Sequence, residues 1–280
     1  MNILDPQGPI GAAEKSILID SVAIMLAIVI PTIVATFGFA WWFRASNTKA
    51  KYLPEWEYSG RIELIVWAIP ALVVMLLGGV TWIGAHQLDP RRPIASTQPP
   101  LDIQVVSLDW KWLFIYPGQK VASVNTLTLP AGVPVHFSLT SASVMNAFFI
   151  PQLGSMIYTM NGMTTRLNLL ADKPGVLRGL SAQFSGDGFS NMGFEVRVVS
   201  APEFADWAAN ASQSDLELDA ARYAELARQG TKVDTATFRL GQPDLFQQIA
   251  TQAIPPGEGP PAASPKTSVS PRSGGNNAAR

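Results

Sequence analysis

Ser181-Ala-Gln-Phe-Ser-Gly-Asp-Gly-Phe-Ser-Asn-Met192 has the spacing of a copper-binding loop and almost none of its ligands. A soft copper site is built from thiolate, imidazole and thioether donors. Here serine stands at 181 and 185, glutamine at 183 and phenylalanine at 189; only Met192 keeps a sulfur. The stretch reads as a copper fold emptied of copper. The 280 residues include no cysteine, which excludes disulfides, iron–sulfur clusters, blue-copper sites and thiolate zinc sites. A formal net charge of -1 and the lack of a basic block argue against a nucleic-acid partner.

The loop sits at the end of a β-rich region. Ile103–Leu108, Trp110–Tyr116, Val121–Leu129, Val133–Thr140, Thr164–Leu170, Val176–Phe184 and Gly193–Val199 read as strands, with Pro117-Gly118, Pro130 and Pro134 marking turns and edges. Short strands at regular intervals predict a Greek-key sandwich or barrel over residues 87–200. Beyond it, Glu203–Ala211 reads as a helix. Ser214-Asp-Leu-Glu217 reads as a capping box opening a helix to about Arg228, and Pro243-Asp-Leu-Phe as the first turn of a third. Residues 201–254 are thus a predicted C-terminal helical region. Residues 255–280, rich in Pro, Gly, Ser, Ala and Asn, are a predicted disordered tail.

Upstream lie two apolar runs, residues 17–43 and 62–86. At about 1.5 Å per residue the first would reach roughly 40 Å as a helix, enough to cross a hydrocarbon core of about 30 Å with tilt. Pro31 and Pro70 are compatible with such spans. Trp41, Trp42, Trp56, Trp67 and Trp82 lie at or near the run ends, as an interfacial belt requires. Two buried helices of a soluble protein are the plain alternative. The linker 44–61 carries Arg44, Lys49, Lys51 and Arg61, so the positive-inside rule puts it in the cytoplasm. The N-terminal tail, residues 1–16, and everything after residue 86 then face the other side. The tail has neither a basic n-region nor a separate apolar h-region, so no signal peptide is expected. The fold class is membrane-anchored all-β: a two-helix transmembrane hairpin, a cupredoxin-like Greek-key domain and C-terminal helices.

Two spans followed by a β domain with this loop resemble subunit II of the haem–copper oxidases. In the cytochrome c-oxidising members the domain is a cupredoxin holding a copper pair, with one upstream His and then Cys-x-Glu-x-Cys-x3-His-x2-Met. The matching positions here are Asn146, Ser181, Gln183, Ser185, Phe189 and Met192. Five of the six lack the family's ligand. Ala45-Ser-Asn, Asp109-Trp-Lys-Trp-Leu-Phe-Ile-Tyr-Pro117, Ser143-Val-Met-Asn, Phe148-Phe-Ile-Pro151 and Gly154-Ser-Met-Ile-Tyr-Thr-Met160 are similar to the quinol-oxidising branch, the bo-type ubiquinol oxidases.

That resemblance implies a subunit with no catalytic residue and no cofactor of its own. Quinol gives electrons directly to haem in subunit I, oxygen is reduced to water at a haem–copper centre there, and protons are pumped. The haems and one copper belong to subunit I. The partners are subunit I, smaller membrane subunits, ubiquinol as substrate of the complex and membrane lipid, with no role for cytochrome c. The setting is the bacterial inner membrane with the β domain on the periplasmic face. The branch usually carries a lipid-modified Cys just before a Leu-Asp-Pro; Leu4-Asp-Pro6 is present here without that Cys.

Glu63 opens the second span. A carboxylate there complements a helix N-terminus, and an ionisable group at a membrane edge is either a boundary residue or functional. The resemblance implies that it lies at the mouth of a proton-uptake path. His86 and His136 match no ligand position and read as structural, as do Trp110 and Trp112. Met156, Met160 and Met163 have helix-like spacing and read as packing. Asp20 reads as pairing or capping near the outer face. The rival readings are an electron-accepting cytochrome c oxidase subunit, which requires the copper pair, and a membrane-anchored β-domain binding or assembly factor, which requires no haem-bearing partner.

Overall fold

A computed structural model describes residues 3–51, 53–230, 233–257 and 259. Two long helices come first: α1 (Pro9–Trp42) and α2 (Gly60–Gln87). Both are long and apolar enough to cross a membrane, and their apolar stretches are exposed rather than buried in the chain. They meet along partly buried Ile17, Ser21, Ile24 and Ile28 of α1 and along Val73, Leu77, Val80 and Gly84 of α2. Both stripes step by four, three and four residues, the helical repeat of one face.

Helix α1 begins eight residues before the apolar run, because its first turns serve the β domain. The Gln7 N–H donates to the Gln152 carbonyl at 2.7 Å, and the Gly11 N–H to that of Leu153 at 3.0 Å. Glu14 accepts from the Ser155 N–H and hydroxyl at 2.8 and 3.1 Å. Gly8 must be glycine: a Cβ there would lie 2.1 Å from the Leu170 carbonyl oxygen. Beyond α2, the Pro90 carbonyl accepts from the Asn168 N–H and side-chain amide at 2.9 and 3.1 Å. Both outer ends of the hairpin are therefore tied to the same region of the β domain.

The β domain contains β1 (Leu101–Leu108), β2 (Lys111–Tyr116), β3 (Val121–Val124), β4 (Thr126–Pro130), β5 (Pro134–Ser141), β6 (Asn146–Phe149), β7 (Met156–Thr159), β8 (Thr165–Leu170), β9 (Gly175–Ser181) and β10 (Gly193–Val199). Helix α3 (Ala201–Ser212), β11 (Glu217–Leu218), α4 (Ala220–Ala227), β12 (Ala236–Leu240) and α5 (Leu245–Ala250) follow. The strands form two sheets, ordered β11-β12-β3-β2-β1-β5-β8 and β4-β10-β9-β6-β7. Strand β1 runs parallel to β5, and β4 parallel to β10, as crossovers of a cupredoxin-like sandwich require.

The predicted single strand Val121–Leu129 is two strands in different sheets. Asn125, at φ 56, breaks it, and its side chain and carbonyl accept from Trp112 N–H and Glu195 N–H at the corner. Asparagine tolerates this left-handed conformation better than most residues.

The main core lies between the sheets, around Trp112, Phe114, Phe137, Phe148 and Phe194. Trp112 meets Phe148 and Phe194 edge-on at 5.4 and 5.6 Å between centroids. A second core lies on the other face of the larger sheet, where Val106, Leu108, Leu113 and Ile115 pack under Leu218, Tyr223, Phe238, Leu245, Phe246 and Ile249. Burial on both faces explains why β2 is apolar at nearly every position.

The region read as C-terminal helices is corrected in part. It also supplies β11 and β12, and β12 pairs antiparallel with β3. The capping box forms at Ser200 and Glu203 at the start of α3, not at Ser214 and Glu217. The Ser214 hydroxyl instead accepts from the Leu216 N–H at 3.2 Å, and Asp219 caps the shorter α4 through the Arg222 N–H at 2.7 Å. The competing demand was sheet extension, which took Glu217 and Leu218 into pairing with Arg239 and Leu240. Most of the predicted tail 255–280 lies outside the described residues; of it, the Gly257 N–H donates to the Ala142 carbonyl at 2.9 Å.

Candidate functional site

Asn146 opens β6, Ser181 closes β9, and residues 182–192 loop over that end of the smaller sheet before β10. Strands β6 and β9 pair directly, Phe148 opposite Ser181, which brings the distant Asn146 beside the loop. The Ser181 hydroxyl lies 3.3 Å from Asn146 Oδ1 and 3.3 Å from the Gln183 carbonyl, and accepts from the Ala147 N–H at 3.4 Å. Asn146 turns its amide nitrogen to the Val144 carbonyl at 3.2 Å. The Ser185 hydroxyl points at Met192 Sδ, 3.9 Å away. Met192 offers its carbonyl to the Ser181 N–H at 3.1 Å and to Trp112 Nε1 at 3.4 Å. Phe189 starts a short 3-10 turn (Phe189–Asn191) and meets Phe184 edge-on at 5.7 Å.

The fold thus assembles Asn146, Ser181, Ser185 and Met192 in one buried corner and turns Phe189 to a second phenylalanine. Gln183 contributes its backbone. Apart from the Met192 thioether these are hard, neutral donors, largely occupied by one another, and they do not fit a soft copper pair. Among the described residues no cluster of three or more His, Asp or Glu side chains is placed to hold a metal ion.

The corner is braced by four consecutive residues, the β1–β2 turn Asp109–Trp110 and the first two residues of β2. Asp109 accepts from the Ser143 hydroxyl, just ahead of Asn146. Trp110, at φ 63, donates from Nε1 to the Ser185 carbonyl at 3.0 Å. Its ring is so close to the loop that a Cβ on Gly188 would lie 2.2 Å from it. Lys111 donates from Nζ to the carbonyls of Leu226 and Arg228 at 2.7 and 2.5 Å, capping the end of α4. Trp112 enters the core. Asp109 and Lys111 are 4% and 2% exposed, which charged groups accept only when paired. Burial pushes the Lys111 pKa down, opposed by the Asp109 charge. A positive φ at a bulky residue such as Trp110 is strained and persists only where surroundings enforce it.

Sequence reading took Trp110 and Trp112 as structural and overlooked the clamps made by Asp109, Lys111 and Ser143. A charged pair inside an aromatic run was the available signal. Of the other candidates, His136 lies on β5 beside Asp102 of β1 at 3.2 Å, at the surface. His86 bonds the Trp82 carbonyl through Nδ1 at 2.8 Å. Met156 is in β7 and Met163 follows a turn, so the helix-like methionine spacing is not a helix. Glu63 is exposed in the first turn of α2, far along the chain from this corner, at the hairpin's opposite end.

The fold and the emptied loop together define a two-sheet, cupredoxin-like domain carried on a helical hairpin. The chain is 47% identical over 252 residues to cytochrome bo(3) ubiquinol oxidase subunit 2 of Pseudomonas aeruginosa, covering 90% of this chain and 76% of that one. It is 49% identical over 255 residues to ubiquinol oxidase subunit 2 of Acetobacter aceti, covering 90% and 82%. To quinol oxidase subunit 2 of Bacillus cereus the identity is 35% over 237 residues, covering 84% and 81%. The chain belongs to the ubiquinol oxidase subunit 2 family. Among solved structures it is similar to the periplasmic domain of subunit II of cytochrome oxidase from Bradyrhizobium japonicum (24% identity, TM-score 0.39, 41% of this chain and 96% of that one). No family model matches the chain.

Proposed function

We propose that the chain is the non-redox subunit II of a proton-translocating ubiquinol oxidase in a bacterial inner membrane. The observation that carries this reading is the corner itself: the ligand positions are occupied by Asn146, Ser181, Gln183, Ser185 and Phe189, with Ser181 bonded to Asn146 and the Gln183 carbonyl, Ser185 to Met192, and Phe189 packed on Phe184. A domain without soft donors cannot relay electrons through copper, so quinol must reduce the haem of subunit I directly. Oxygen is reduced there, at a haem–copper centre. This chain braces subunit I and covers its outer face.

Residues 17–43 and 62–86 are the spans, and the basic loop 44–61 faces the cytoplasm. The β domain is then periplasmic, which the joint docking of both outer helix ends on that domain supports. Glu63, at the cytoplasmic end of α2, serves proton entry into subunit I. There the carboxylate stands exposed in the first turn of the helix, where it complements the helix N-terminus.

Metal analysis and an absorption spectrum of the complex purified through a tag on this chain test the reading. Copper in the amount of a single haem–copper centre, without a purple mixed-valence band, is the expected result. An additional copper pair would replace it with the cytochrome c oxidase reading. Recovery of the chain without a haem-bearing partner would replace it with a binding or assembly role.

A further inference from the structure

Among the described residues, two buried side-chain atoms have no hydrogen-bond partner: the Oε1 atoms of Gln104 and Gln119. Both residues line one recess of about 440 Å³ at the end of the larger sheet. An unpaired buried acceptor is costly and rare in native folds. Two of them in one recess call for a common ligand. The sheet explains how the recess arises. Asp102 and Gln104 alternate with Ile103 and Val105, which enter the main core, so they stand on the face of the second core. Ile115, opposite Gln104 on β2, still belongs to that core. Toward the start of β1 the face turns polar: Asp102 stands opposite His136, and Gln104 opposite Ser138, on β5. The β2–β3 turn, across β1 from β5 and with Lys120 at φ 58, brings Gln119 to the same end.

The lining sets the sign of the ligand. Two amide oxygens, the exposed Asp102 carboxylate and the half-buried His136 imidazole all offer lone pairs, and no lysine or arginine lines the recess. His136 Nδ1 and Asp102 Oδ1 lie 3.2 Å apart. Two donors sharing one metal ion, with bonds of about 2.0–2.2 Å, stand roughly 2.8–3.6 Å apart in octahedral or tetrahedral geometry. The same 3.2 Å suits a hydrogen bond within the pair, so the glutamines decide between the two. A His–Asp hydrogen bond leaves both amide oxygens unpaired, whereas a cation in the recess answers all four groups. An imidazole among oxygen donors favours zinc and its transition-metal neighbours over calcium or magnesium.

We propose that Asp102, Gln104, Gln119 and His136 bind a divalent cation of the zinc type as a structural ion. It ties the start of β1, just beyond the linker from α2, to β5 and to the β2–β3 turn. Strand β1 runs from this recess at Asp102 to the emptied corner beside Asp109, so the two sites lie at opposite ends of one strand. The recess needs no soft donor, and zinc carries no electrons.

The test uses the complex purified through a tag on this chain, stripped with a chelator and dialysed against micromolar zinc. Zinc per complex is measured by metal analysis, with co-purifying haem as the check of assembly. Wild type should hold an additional zinc that His136→Ala lacks. Gln104→Leu and Gln119→Leu should each weaken that site by at least the roughly tenfold typical of losing an outer-shell partner. Gln104→Glu keeps an oxygen donor and adds charge, so it should tighten zinc binding several-fold, which a merely structural glutamine would not do. Equal zinc in wild type and His136→Ala would overturn the site. Zinc lost from His136→Ala but held at wild-type affinity by both leucine variants would mean an adventitious ion only, on the exposed His136–Asp102 pair, and would overturn it too. If a leucine variant loses haem, Gln104→Glu decides alone, and unchanged zinc affinity there overturns the site. Failure of the zinc site leaves the oxidase reading standing, because that reading rests on the opposite end of β1.

Discussion

The emptied corner of the β domain and the membrane hairpin handle polar groups in opposite ways. In the corner, the buried polar groups are matched inside the chain: Ser181 to Asn146 and Ser185 to Met192, with Trp110 bonded to the Ser185 carbonyl. In the hairpin, Glu63 and Asp20 stand exposed on apolar helices with no ion-pair partner among the described residues. A buried polar group left unmatched costs about 1–3 kcal/mol, and the corner meets that demand with its own hydrogen bonds. The exposed carboxylates of the hairpin carry no such demand within the chain.

The contrast breaks most visibly at Trp110. If this ring holds the loop in place of a metal, Trp110→Ala should cost about 3–5 kcal/mol and open residues 182–192 to protease. Thermal unfolding and limited proteolysis of the complex report both. Trp110→Gly sharpens the point: with φ 63 at this position, glycine should be less harmful than alanine by about 1 kcal/mol, against its usual ranking. An ordinary ranking would mean that the backbone there is not strained.

Lys111 gives the next effect. Lys111→Met keeps the apolar stem and leaves the carbonyls of Leu226 and Arg228 without their donor, a loss of about 2 kcal/mol that should appear as faster hydrogen exchange in α4. It also has a pH signature. Burial lowers the folded-state pKa below the ordinary 10.5, so the unfolded chain holds this proton more tightly. The native state is therefore penalised while Lys111 is charged, and stability from this group rises with pH between its folded pKa and 10.5. Chemical denaturation at several alkaline pH values should show wild type gaining on Lys111→Met as pH rises. Parallel curves would mean that Lys111 is not desolvated.

How far these features could be read from the chain depended on what set them. Both spans were legible because uninterrupted apolar length has few causes. The strands that face one core were legible by alternation, as in Val133–Thr140, but β2 is buried on two faces and only its aromatic content marked it. Strands β6 and β7 escaped because four residues carry little periodicity, and β6 begins on a polar residue fixed by a partner 35 positions away. Ser214–Glu217 carried a sound local helix signal that lost to sheet extension on β12. The six ligand positions were legible as a frame. Their mutual hydrogen bonds were not, since these depend on the pairing of β6 with β9. The clamps of Asp109 and Lys111 were hidden for the same reason, their partners being 34, 115 and 117 residues distant.

On the hairpin side, Glu63→Ala should lower turnover about tenfold or less, a barrier change of about 1.4 kcal/mol, without loss of assembly. Glu63→Asp should restore most of it, since a carboxylate is kept at the same end of α2. Turnover and proton uptake measured over a wide pH range check this. Values equal to wild type throughout would return Glu63 to the role of a boundary residue that favours the helix N-terminus.

The smallest effect separates the two regions most directly. Ser181→Ala removes the hydroxyl that joins Asn146 Oδ1, the Gln183 carbonyl and the Ala147 N–H. Asn146→Ala removes the amide that joins that hydroxyl and the Val144 carbonyl. Each change should cost about 1 kcal/mol. Because the two side chains share a bond, the double variant should cost less than the sum by about 0.5 kcal/mol or more. Repeating the cycle with Ser185→Ala in place of Asn146→Ala should give near-additive costs, for no hydrogen bond joins Ser185 to Ser181 directly. Additivity in both cycles would mean that the corner is held by the aromatic packing around it, with the polar network incidental. Coupling in the first and not the second would locate the bond network that holds the loop on β6.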